Sequence, residues 1–179
     1  MNDGLIPKRY AKALYKLGME NGDLHVIYEQ MRELSSHNTA IDELKRVMIN
    51  PYIPNEDKGR VMLLAAGAEP GSSLEKFILL IIKNNRAEYL RKIALSYVNL
   101  YREHHNIAEV EVTTAVELPE KEIQAIIDVV KKQLAGMTLE TKTCINPELI
   151  GGFTVKIGDM LLDASVRNEL KKLRLKLLS

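Results

Sequence analysis

The chain has one cysteine, no tryptophan, only two phenylalanines and no long apolar run. Each scarcity excludes something. With Cys144 alone, no intramolecular disulfide can form, and the chain fits a reducing compartment. Aromatics at 5% leave few flat side chains, which argues against stacking on single-stranded nucleic acid as the main activity. The longest apolar run, Phe77 to Ile82, falls far short of the ~20 residues that span a bilayer, so any membrane association is expected to be indirect. Formal net charge is +1, and no global field draws the chain to nucleic acid or an anionic surface. The start, Met1-Asn2-Asp3-Gly4, lacks the charged-then-apolar order of a signal peptide and is no Arg-rich transit peptide.

What is present is helical periodicity, and then a change of period. Pro7 suits a first helical turn, and Tyr10, Leu14 and Leu17 recur at helical spacing until Gly18 and Gly22 are expected to break the pattern. Asp23 is a candidate cap for a second helix with Ile27, Met31 and Leu34. A third is predicted from about Ala40, through Ile41, Leu44, Val47 and Met48, stopping before Asn50-Pro51. Asn55 is expected to cap a fourth and Ser73 a fifth. A sixth runs from about Arg86 to His104. Short connections argue for an antiparallel bundle.

After His105-Asn106 the residues alternate, with Val110 and Val112 between Glu109, Glu111 and Thr113, as in a half-buried strand. Pro119 opens a helix bearing Ile123, Ile126, Ile127, Val130 and Leu134, and a second strand spans Met137 to Ile145. Gly158-Asp159 suits a type II′ hairpin, in the register that pairs Ile157 with Met160 and Val155 with Leu162. Ser165 can cap a last helix in which Val166, Leu170, Leu173 and Leu177 share a stripe. The expectation is a mainly α protein: a six-helix bundle over 1–105, then a small α+β domain over 106–179.

No catalytic set assembles. Gly151-Gly152 lacks the Lys-Ser/Thr that would make a phosphate loop, so glycines at turns is the better reading. His104 and His105 are adjacent, and on a helix they point about 100° apart, which rules out joint chelation. Cys144 has no nearby histidine to activate it. Two features point to partners instead. The fifth predicted helix is apolar nearly all round, which means burial, a binding face, or both. The last helix carries Arg167, Lys171, Lys172, Arg174 and Lys176 against Glu169 alone. That pattern fits a solvated face with cations near the helix C-terminus, or docking to an acidic partner. Two rivals are an RNA-associated adaptor using the basic terminal helix, which a steep salt dependence of RNA affinity would support, and a small hydrolase, for which no nucleophile and base can be paired.

Three stretches together resemble the F-type ATP synthase delta subunit family, which includes the mitochondrial oligomycin-sensitivity-conferring protein. They are Arg9-Tyr10-Ala11-Lys12-Ala13-Leu14-Tyr15, Lys83-Asn84-Asn85-Arg86, and Ile150-Gly151-Gly152-Phe153 through Gly158-Asp159-Met160 to Asp163-Ala164-Ser165-Val166-Arg167. The order of these stretches covers the whole chain. Two departures stand out: Lys8-Arg9 where the family often has Arg-Pro, and Asn85 where glycine is common. The resemblance implies a non-catalytic stator subunit, without cofactor or metal, on the cytoplasmic face of a bacterial cell membrane. It further implies a groove between the first and fifth helices for the N-terminal helix of an alpha subunit, with Tyr10, Ala13 and Leu80 at that groove. The C-terminal domain would grip the C-terminal ends of the stalk's b subunits, with Arg167, Lys171 and Lys172 as stalk-facing candidates.

Overall fold

The computed structural model describes residues 4–36, 50 and 52–178 of the chain. The chain divides into two compact units, Met1–Glu103 and His104–Ser179. The first contains α1 (Leu5–Asn21), α2 (Leu24–Ser36), α3 (Asn55–Ala65), α4 (Ser73–Lys83), a 3-10 turn at Ala87–Tyr89, and nearly all of α5 (Leu90–His105). The third predicted helix, with Ile41, Leu44, Val47 and Met48, lies outside the described residues. The predicted fourth, fifth and sixth helices are therefore α3, α4 and α5. A six-helix count is not what the described residues show: they hold five α-helices in this unit.

Apolar residues at helical spacing bury a common core. Leu14 of α1, Ile27, Tyr28 and Met31 of α2, Met62 of α3, Ile78 and Ile81 of α4, and Ile93 and Tyr97 of α5 are all fully buried. Burying each such side chain contributes roughly 1.5–3 kcal/mol. The Tyr97 hydroxyl donates to the Leu24 carbonyl at 3.2 Å, and burial pushes its phenol well above the ordinary value.

Several sequence expectations move. Gly18 does not break α1; it is buried inside it, where an added Cβ would meet Ile27 Cδ1 at 3.0 Å. The glycine allows α1 and α2 to pack closely, and Gly22, in the left-handed region at φ 75°, ends the helix. Asp23 makes no cap, since its Oδ1 is buried without a hydrogen-bond partner. Asn55 is the first residue of α3, which follows Pro54 as N-cap. The cap of α4 is Ser72 rather than Ser73, with its Oγ accepting from Glu75 N at 3.1 Å. Ser73 instead accepts from Asn21 Nδ2 at 2.8 Å. A short 3-10 turn, not an α-helix, follows Arg86.

The second unit is a four-stranded sheet in the order β2-β1-β3-β4. Its strands are β1 (Ile107–Thr114), β2 (Thr138–Ile145), β3 (Gly152–Ile157) and β4 (Met160–Ser165). β1 and β2 are parallel, joined through α6 (Glu120–Gln133), while β3 is antiparallel to β1 and to β4. Val110, Val112, Val130 and Val155 form the core, with Ile126, Leu139, Phe153 and Ile157 packed around it. α6 therefore covers the face predicted from the alternation. The hairpin register is the expected one, Ile157 opposite Met160 and Val155 opposite Leu162, with Gly158 at φ 55° in the turn. Gly152, at φ 72°, lies so close to β4 that an added Cβ would stand 2.3 Å from the Ala164 carbonyl oxygen.

The last helix, α7 (Val166–Leu178), begins as predicted: Ser165 Oγ accepts from Asn168 N at 3.2 Å. Its apolar stripe is left uncovered. Val166, Leu170, Leu173 and Leu177 are all exposed, and α7 has no buried residue.

Candidate functional site

The first surface lies between α1 and α4. Asn84 Nδ2, just beyond the end of α4, donates to the Tyr10 hydroxyl at 3.1 Å. The Tyr10 ring meets Phe77 edge-on, with centroids 6.1 Å apart. At the other end, Asn21 Nδ2 reaches Ser73 Oγ. Both hydrogen-bonded pairs lie on one antiparallel register, in which Leu80 is level with Leu14 and next to Ala13.

Helix geometry then sorts the side chains. In α1 the buried residues Pro7, Ala11, Leu14 and Gly18 form one face, and half-buried Tyr10 sits at its edge toward α4. Ala13 lies about 60° further round from Tyr10, toward solvent, and is exposed. In α4 the buried face carries Leu74, Phe77, Ile78, Ile81 and Ile82. Leu80 lies about 60° from Phe77 in the outward direction and is 47% exposed. The apolar character of α4 thus serves two purposes, a core face and an uncovered edge. Tyr10, Ala13 and Leu80 therefore lie toward the same outer side of the α1–α4 seam, with Tyr10 held by its hydrogen bond.

The second surface is formed by β4 and α7. Met160, Leu161 and Leu162 are 64%, 63% and 59% exposed, although Met160 and Leu162 share the face that is buried on β1 and β3. β4 is an edge strand, and α6 does not extend its cover to it. Leu170, Leu173 and Leu177 of α7 are exposed as well, so both elements leave apolar side chains uncovered in this unit. The sequence shows the hairpin register and the helix stripe but not whether either is covered, because exposed and buried apolar faces share one periodicity.

The cationic candidates lie on α7 as well. Arg167 Nη1 is 3.5 Å from Glu148 Oε2, Lys172 Nζ is 3.2 Å from Glu169 Oε1, and Lys171 is exposed. The start of α7 is held by a compact cap: Asp163 Oδ1 accepts from Ser165 Oγ at 2.6 Å and from Ser165 N at 3.0 Å. The Ser165 hydroxyl and amide hydrogen bonds, in that order, hold the Asp163 carboxyl below its ordinary range. Cys144 is half-buried on β2. Among the described residues, no group of three or more His, Cys, Asp or Glu could hold a metal, and no helix is long and apolar enough to cross a membrane.

Comparison with known proteins gives a consistent result. A family model described as ATP synthase delta (OSCP) subunit matches residues 6–177. The ATP synthase subunit delta of Phocaeicola vulgatus is 36% identical over 172 residues, covering 96% of this chain and 92% of that protein. The ATP synthase subunit delta of Parabacteroides distasonis is 33% identical over 178 residues, covering 99% and 98%. The fold resembles a chain in a cryo-EM structure of the Toxoplasma gondii mitochondrial ATP synthase hexamer, with TM-score 0.72, 18% identity and 97% of both chains covered.

Proposed function

The chain belongs to the ATP synthase delta (OSCP) subunit family, non-catalytic stator components of the F-type ATP synthase, and on that premise we propose that it joins two specific partners through its two uncovered surfaces. The α1–α4 cleft takes the N-terminal helix of an alpha subunit, and the β4–α7 face takes the C-terminal ends of the b subunits. The subunit is then peripheral to the membrane, on its cytoplasmic face.

The observation that carries this reading is that each unit leaves apolar side chains open: Leu80 on the outer side of the α1–α4 seam in one, Met160 and Leu162 of β4 with Leu170 and Leu173 of α7 in the other. A stator must hold the head against the torque of the rotor, which requires static contacts at two places and no turnover. Tyr10, Ala13 and Leu80 line the first contact. Arg167, Lys171 and Lys172 border the second, where their charge favours carboxylates on the stalk.

Co-purification with the partner subunits of the same organism tests the assignment. Leu80→Asp is expected to lose the alpha subunit and retain b, whereas Leu162→Asp is expected to lose b and retain alpha. Loss of both partners from each folded variant, or of neither, overturns the division of roles.

A further inference from the structure

Resting on the cleft reading above, we propose that the α1–α4 cleft selects an amphipathic helix whose apolar stripe is flanked by carboxylates. The two small-to-medium apolar residues that open the cleft are each bracketed by cations at the same two spacings. Ala13 has Arg9 four residues before it and Lys16 three after; Leu80 has Lys76 four before and Lys83 three after. At about 100° per residue these positions fall 40–60° beyond Ala13 and Leu80, on the side away from the neighbouring helix. On both helices the cations therefore stand on the outer rims of the cleft. All four are exposed, and none forms an ion pair among the described residues.

The charge is concentrated here. The chain as a whole carries a formal +1, yet α1 and α4 hold six cations, Lys8, Arg9, Lys12, Lys16, Lys76 and Lys83, against Glu20 and Glu75. Of those two carboxylates, Glu75 is turned back onto the Gly71 amide before its own helix. The basic end of the molecule, α7, differs: there Arg167 and Lys172 already face Glu148 and Glu169. A helix lying in the cleft with glutamates or aspartates beside its apolar stripe would meet a cation on either rim. One flanked by lysines would meet like charge on both, and specificity rests on that repulsion as much as on the attraction. The same field would speed encounter with an acidic helix and be screened by salt.

The test measures binding of a fluorescent peptide of the alpha subunit's N-terminal helix, from the same organism, to the full-length protein. Affinity is read at low and at high ionic strength, on the order of 10 mM and 1 M, where the Debye length changes from ~30 Å to ~3 Å. The double variant Lys76→Glu/Lys83→Glu is compared with Lys131→Glu/Lys132→Glu, the same charge change made on α6 in the other unit. The expected result is a loss of about tenfold in affinity for the rim variant at low salt, shrinking to within about twofold at high salt, with the α6 variant like wild type. A companion pair of designed amphipathic peptides, identical in stripe and flanked by glutamate or by lysine, should favour the glutamate form. If the alpha peptide binds and the rim variant matches wild type at low salt, the selectivity is overturned while the cleft reading stands. If the alpha peptide does not bind wild type at all, the cleft reading itself fails, and this inference with it.

Discussion

The Asn84 side chain holds the Tyr10 hydroxyl at 3.1 Å, and with that one bond the end of α4 is locked to the first turns of α1. The lock keeps Tyr10 against Phe77 and leaves Ala13 and Leu80 facing water between the two helices. For the docking proposed there, the two helices are already joined before a partner arrives, which lowers the ordering cost of binding.

Ala13→Asp separates docking from folding. Because Ala13 is exposed, the variant should melt within a degree or two of wild type. Its affinity for the alpha subunit's N-terminal peptide should fall about tenfold or more, since the new carboxylate must be desolvated on docking and draws Arg9 and Lys16 away from the partner. A lowered melting temperature with unchanged affinity would move Ala13 out of the cleft.

Ser72→Ala should destabilise the first unit by about 1 kcal/mol, through loss of the cap on α4. Denaturant unfolding with an unchanged m-value is the appropriate measurement. Retention of full stability would show that the Glu75 amide finds another acceptor.

The cap at α7 carries a pH dependence whose sign follows from Asp163. Its carboxyl titrates lower in the folded chain than in the unfolded one, chiefly through the two Ser165 hydrogen bonds. The stabilisation is therefore present above the ordinary carboxylate range, and is lost as pH falls through the depressed folded value. Asp163→Asn should be less stable than wild type at neutral pH, and the difference should close in strong acid. A constant difference across that range would mean that the charge of Asp163 contributes nothing to the cap.

Limited proteolysis should cut first near His105-Asn106, where Asn106 takes φ 52° between α5 and β1. The fragment ending near residue 105 should keep its helical far-UV signal. A fragment that unfolds would show that the helical unit depends on the sheet unit.

The sequence by itself determined the local elements and much of their pairing. Helical spacing marked α1, α2 and α5, alternation marked β1, and Gly158-Asp159 specified both the turn and the register of Ile157 with Met160. These are legible because backbone periodicity and turn stereochemistry act over a few residues. The extended resemblance across the chain, ending in the Gly151-Gly152 to Arg167 stretch, was legible for a related reason. Gly152 must sit where a Cβ would strike the Ala164 carbonyl, and such a position tolerates little else. Tertiary structure alone decided which apolar faces are covered. Leu80 and Ile81 are adjacent and equally apolar, yet Ile81 is buried and Leu80 is exposed. Leu162 alternates in step with buried Val155 across the hairpin, and stays open because it lies on the edge strand beyond the reach of α6. The stripe of α7 reads like any core stripe, yet none of its residues is buried. A docking face and a core face use the same residues at the same spacing, because both exclude water from apolar surface. Only the positions of neighbouring elements determine whether this chain or another one supplies the cover.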